Sequence, residues 1–78
     1  MDNITHEECD CRGLECPLPI LQVRLRLNEM FKGDTLTIYA DDESFDKDFL
    51  KFCQLADIVL LFKKECGGFQ EYFVQVIK

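Results

Sequence analysis

Seventy-eight residues, 47% of them hydrophobic and seven of them Phe, suffice for one small core, and residues 1–78 read as a single domain. This composition excludes a disordered chain, and no apolar run approaches the ~20 residues that a membrane-spanning helix requires. A net charge of −6 argues against direct nucleic-acid binding, whose affinity comes largely from Lys and Arg on phosphates, and suits a protein partner with a basic docking surface.

The opening Met1-Asp2-Asn3-Ile4-Thr5-His6-Glu7-Glu8 is acidic and lacks the basic and apolar regions of a signal peptide. A cytoplasmic location is therefore expected, with no membrane partner. Five cysteines, an odd number at irregular spacing, point away from a disulfide framework and toward buried thiols, a metal site or a reactive thiol.

Along the chain, residues 5–11 alternate, with Thr5, Glu7, Cys9 and Cys11 on one face and His6, Glu8 and Asp10 on the other, as in a short strand. Arg12-Gly13-Leu14-Glu15 reads as a turn, with Gly13 suited to a tight or left-handed position. A helix is predicted over residues 17–31, with Ile20, Val23, Leu27 and Met30 or Phe31 facing the core, Lys32 complementing its C-terminal dipole and Gly33 capping it. Leu36, Ile38 and Ala40 alternate with Thr35, Thr37 and Tyr39 in a second strand. Asp41-Asp42-Glu43-Ser44 opens a second helix whose buried stripe is Phe45, Phe49, Phe52, Cys53 and Ala56. The apolar run over residues 58–62 predicts a strand in the sheet interior. Gly67-Gly68 predicts a tight hairpin turn into a last strand over residues 69–77. The order is β-α-β-α-β-β. Its simplest packing is an α+β (α/β) two-layer sandwich, a four-stranded mixed sheet with both helices on one face.

Cys16-Pro17-Leu18-Pro19 is the segment with chemical content. Pro at the first helical position has its φ already set and lacks only an N–H that would have gone unpaired. With Pro17 there, Cys16 is expected at the N-cap. In such surroundings a free-Cys pKa of about 8.5 can fall to roughly 3.5–7.5, although Pro17 and Pro19 remove two donors that would contribute. The bland alternative is a buried Cys that happens to precede a proline.

Asp10-x-x-Gly13-Leu14-x-Cys16-Pro17-x-Pro19, then Lys32-Gly33-Asp34-x-Leu36, Ala40-Asp41-Asp42, and Asp48 with Phe52-Cys53, resemble the TusA/SirA-like sulfur-carrier family from about Cys9 to the C-terminus. The resemblance implies a β-α-β-α-β-β fold like that of the C-terminal domain of a bacterial translation initiation factor. It also implies a stoichiometric, sulfurtransferase-like sulfur carrier in which Cys16 holds a persulfide. No cofactor is implied beyond that transient cysteine persulfide. The partners implied are a cysteine desulfurase or rhodanese-type sulfur donor and an acceptor sulfurtransferase protein, in tRNA thiolation, molybdenum-cofactor synthesis or other sulfur metabolism. Leu18 stands where the family commonly has an acidic residue, Glu43 where a Pro is frequent, and Ala56-Asp57 where a Gly-His pair is typical.

Several residues keep two readings. Arg12 either stabilises a Cys16 thiolate or stays solvated. Asp41, Asp42 and Leu18 are candidates for partner contact, the two acids being equally explained as helix-capping groups. Cys9 reads as core, Cys11 as core or a resolving thiol for Cys16, Cys53 as buried, and Cys66 as exposed at a hairpin tip, open to incidental oxidation or, alternatively, a second sulfur-accepting thiol. No metal is expected. A site from Cys9, Cys11 and Cys16 with His6 or Cys66 lacks the paired Cys-x(2–4)-Cys knuckles of structural zinc. At the level of function, the rival to a carrier is a non-catalytic interaction or regulatory module using the open sheet face. A nucleic-acid-binding domain, by fold analogy, is opposed by the charge.

Overall fold

Period-two alternation and two helical stripes place the elements in the expected order. A computed structural model describes residues 5–15 and 17–77. It contains β1 (His6–Asp10), α1 (Leu18–Leu27), β2 (Thr35–Ala40), α2 (Phe45–Leu55), β3 (Ile58–Glu65) and β4 (Gln70–Val76). Their sheet order is β1-β2-β4-β3. β1 and β2 are parallel, because α1 carries the chain back between them, while β4 runs antiparallel to both β2 and β3. No helix among the described residues is long and apolar enough to cross a membrane.

One face of the sheet carries the core. Cys9, Leu36, Ile38, Ala40, Tyr72, Val74, Val76 and Ile58 meet Val23 and Leu27 of α1 and Phe45, Phe49 and Phe52 of α2. Phe45 and Phe49 stack at 5.0 Å, and each meets the Tyr72 ring edge-on, at 5.2 and 5.1 Å. Such aromatic pairs add about 0.5–1.5 kcal/mol each beyond burial, so α2 is tied to the sheet through rings. The Tyr72 hydroxyl lies 3.0 Å from Asp46 Oδ1, which also accepts from Lys63 at 2.7 Å.

Four expectations are corrected. β3 lies at the sheet edge, not in its interior, because the hairpin inserts β4 beside β2. Its apolar run divides between the two faces across an irregularity between Leu60 and Phe62: Leu60 packs on the core, and Phe62 stacks on Phe73 at 5.1 Å on the other face. Helix α1 stops at Leu27 and is followed by i→i−3 turns that bury Met30 and leave Phe31 76% exposed. Its last-turn cations are Arg24 and Arg26, in place of Lys32. Gly33 does not cap it: at φ 97° its N–H instead donates to the Val76 carbonyl at 2.8 Å. Asp34 holds that crossing together, accepting from the Phe31 N–H at 2.9 Å and the Thr5 N–H at 3.0 Å. The Gly67-Gly68 turn is as expected, with φ 40° and 102° and a 2.8 Å bond from Cys66 N–H to the Phe69 carbonyl.

Candidate functional site

Cys16 lies outside the described residues, but the chain on both sides of it is defined. Asp10 closes β1 and grips Arg12. Its carboxylate accepts the Arg12 Nε and Nη2 hydrogens, both at 2.9 Å, and the Arg12 backbone N–H at 3.1 Å. That two-pronged pairing holds the Asp10 carboxyl down at about 2 and raises Arg12. Gly13 follows at φ 84°, and its N–H donates to both Asp41 carboxylate oxygens, at 3.1 and 3.0 Å. Only glycine takes that φ without steric cost, so sequence and backbone agree at this point. The Glu15 carbonyl accepts from Leu18 N–H at 2.9 Å.

Pro17, expected at the first helical position, is the N-cap itself, with φ −96° and ψ 9°, and Pro19 is inside the first turn. Pro19 is buried, whereas Pro17 and Leu18 are exposed. Since the prolines have no N–H and that of Leu18 is used by Glu15, the entrance keeps few donors for an anion. It also carries no acidic side chain in its first turn, so no carboxylate competes there for the positive end of the helix. Leu18, Leu21 and Leu25 continue outward along α1 as an exposed stripe at helical spacing, a pattern that attention to buried positions alone overlooks.

Gly13, Leu14 and Glu15 face Asp41, Asp42 and Glu43 across an open groove beside the loop. Asp41 is engaged with Gly13, and Asp42 Oδ1 accepts the Ser44 N–H at 3.0 Å, so both acids have a structural task. Arg12 turns its guanidinium onto Phe69, 4.8 Å from the ring centroid, and Tyr39 at 5.7 Å. Its partnership with Asp10 is signalled in the sequence by the Asp-x-Arg spacing, which weighing Arg12 only against Cys16 misses.

The profile of the family described as Sulfurtransferase TusA matches residues 7–76. The chain belongs to the TusA family. A putative sulfur carrier protein of Neisseria meningitidis is 42% identical over 69 residues, 88% of this chain and 93% of the relative. The sulfur carrier protein TusA of Allochromatium vinosum is 42% identical over 62 residues, 80% and 82% of the two chains. The SirA-like protein of Desulfitobacterium hafniense has the same fold, with a TM-score of 0.74 at 17% identity, covering 92% of this chain and 99% of that one.

On this TusA-family scaffold the other cysteines take distinct places. Cys9 and Cys11 are both in the core, with sulfurs 3.5 Å apart. Cys53 is half-buried on α2 rather than sealed in, and burial pushes its thiol up to about 11. Cys66 is half-buried rather than exposed, with its sulfur 3.8 Å from Glu71 Oε1. His6 points to the sheet face opposite Cys9. It bonds Thr35 Oγ1 at 2.8 Å and Thr37 Oγ1 at 3.3 Å and packs on Phe73, which removes it from the metal-ligand set considered above. Among the described residues no three His, Cys, Asp or Glu side chains converge as metal ligands.

Proposed function

We propose that this protein is a sulfur carrier whose covalent residue is Cys16. The observation that carries the reading is local: Cys16 immediately precedes a helix with Pro17 at its N-cap and Pro19, but no carboxylate, in its first turn. The thiolate attacks the outer sulfur of a donor persulfide, the donor S–S bond breaks, and the donor cysteine leaves as a thiolate. Cys16 now bears the persulfide. An acceptor thiolate then attacks that outer sulfur, and Cys16 leaves as the thiolate it was before. Both steps are thiol–persulfide exchange, with no net oxidation.

Family membership and the relatives named as sulfur carriers support this reading. A cysteine desulfurase or rhodanese is the donor class and an acceptor sulfurtransferase the recipient, acting in the cytoplasm with no cofactor beyond the transient persulfide. Arg12, held by Asp10, and Gly13, held by Asp41, fix the loop that precedes the helix entrance. Pro17 and Pro19 stiffen the helix entrance beyond it. Leu18, exposed on α1, and Asp41 and Asp42, which line the groove beside the loop, are the contacts offered to an approaching partner.

Incubation with a cysteine desulfurase and cysteine, followed by intact-mass measurement, tests the proposal. The wild type gains the mass of one sulfur, lost again on reduction, and Cys16→Ser gains none while keeping its circular dichroism. Sulfur retained by Cys16→Ser removes the assignment to Cys16. A wild type that takes up no sulfur favours the interaction module.

A further inference from the structure

The buried thiol pair at the end of β1, Cys9 within the strand and Cys11 just past it, has no part in the exchange described above. Cys9 and Cys11 occupy successive inward positions, 4% and 0% exposed, and their sulfurs lie 3.5 Å apart. The two sulfurs are already in contact, and a disulfide would bring them to about 2.05 Å. Cys11 also joins the strand to the entrance of α1. Its sulfur lies 3.8 Å from the Pro19 carbonyl oxygen, its N–H donates to the Tyr39 carbonyl at 2.7 Å, and its own carbonyl accepts from Leu14 N–H at 3.2 Å.

We propose that Cys9 and Cys11 are a redox-active dithiol, oxidised by hydrogen peroxide or a similarly small hydroperoxide to an intrastrand disulfide that displaces the α1 entrance. The Cys9 thiolate attacks one peroxide oxygen, the O–O bond breaks, and Cys9 becomes a sulfenic acid as hydroxide leaves. The Cys11 sulfur then attacks the Cys9 sulfur, the S–O bond breaks, and water leaves. The hydroxide takes up the proton that Cys9 gave, so two thiols lose two electrons and the peroxide becomes two waters.

Local electrostatics choose Cys9 as the first nucleophile. The Cys11 S–H stabilises the Cys9 thiolate and lowers that thiol, with burial opposing and Arg26 of α1 assisting. The same pairing, together with burial, raises Cys11. The bond is also easily undone. Two residues of extended strand set Cα atoms about 6.6–6.8 Å apart, at the upper edge of the range a disulfide spans. Such strained bridges have high reduction potentials and behave as reversible switches. Closing the sulfur gap draws Cys11 away from Pro19, the buried anchor of the first turn of α1.

A variant carrying Cys16→Ser, Cys53→Ala and Cys66→Ser retains only the pair, and its outcome is independent of the sulfur-carrier reading. After hydrogen peroxide treatment and alkylation under denaturing conditions, both thiols disappear together with the loss of two hydrogens. The peptide containing Cys9 and Cys11 accounts for that loss, and dithiothreitol restores it. Adding Cys9→Val abolishes it. Thiols that stay alkylatable, or that gain oxygens one at a time, overturn the pair. Should the triple variant not fold, the same peptide mapping on the wild-type chain distinguishes these outcomes. Oxidation also speeds amide hydrogen exchange at Leu18, Ile20 and Leu21 severalfold relative to β4, and unchanged exchange there overturns the link to the helix entrance.

Discussion

Helix α2 drives Phe45, Phe49 and Phe52 into the sheet and opens on acids at Asp46 and Asp48. Helix α1 buries only Pro19, Val23 and Leu27, opens on prolines, and leaves Leu18, Leu21 and Leu25 in solvent. The acids of α2 complement its dipole and stabilise the helix itself. At α1 that stabilisation is absent, and proline stiffness holds the chain direction instead. One helix anchors the fold. The other carries the residues on which the proposed chemistry depends.

The largest test of that division is Phe49→Ala. Phe49 is fully buried and touches Phe45, Phe52 and Tyr72, so its loss is expected to cost about 3–5 kcal/mol in urea unfolding. That is a large share of the stability of a domain this small. A cost near 1 kcal/mol would show that α2 is not the anchor.

Acid comes next, because carboxylates hold the anchored parts. Lys63, assisted by the Tyr72 hydroxyl, keeps the Asp46 carboxyl below its usual range. The Phe31 and Thr5 N–H groups do the same for Asp34, and Arg12 holds Asp10 at about 2. The unfolded chain therefore binds protons more readily than the folded one. Stability from these groups is complete above the ordinary carboxylate pKa of about 4 and falls as pH drops below it. Urea midpoints measured downward from pH 6 should decline in that window. In Asp46→Asn, which starts from a lower midpoint, the decline should be shallower. An unchanged slope would separate Asp46 from the acid response.

A smaller effect is expected at the loop before α1. Gly13→Ala meets no neighbouring atom within 4 Å, so its penalty is the φ of 84° alone, about 1 kcal/mol or slightly more. Gly13→Asn should cost less, since Asn tolerates left-handed backbone better. Equal costs for the two would place the effect in packing rather than backbone.

How far the sequence disclosed these features depends on how local their causes are. The alternation of Leu36, Ile38 and Ala40, the Phe stripe of α2 and the Gly67-Gly68 turn are decided by neighbours within a few residues, and each appears where its pattern places it. The position of β3 is decided by which strand pairs with β2, a choice that an apolar run over residues 58–62 does not encode. The end of α1 is hidden for a similar reason: Gly33 looks like a cap until Val76, far along the chain, claims its N–H. At the candidate site, Gly13 and the two prolines are legible because each constrains its own backbone. The grip of Asp41 on Gly13 spans 28 residues and emerges only from the fold.

The smallest expected change gives the sharpest view of α1. Leu25 is 60% exposed, while Leu27, two residues along, is 8% exposed and sits in the core. Leu27→Ala should cost about 2–5 kcal/mol. Leu25→Gln keeps a good helix former and removes only exposed apolar surface, so it should change stability by no more than about 0.5 kcal/mol. With so little at stake for the fold, any slowing of the proposed sulfur exchange in Leu25→Gln reports on how a partner meets α1. A loss of stability approaching that of Leu27→Ala, growing with protein concentration, would instead mean that the leucine stripe is covered by a second copy in solution. The two helices would then differ in what they bury and not in whether they bury it.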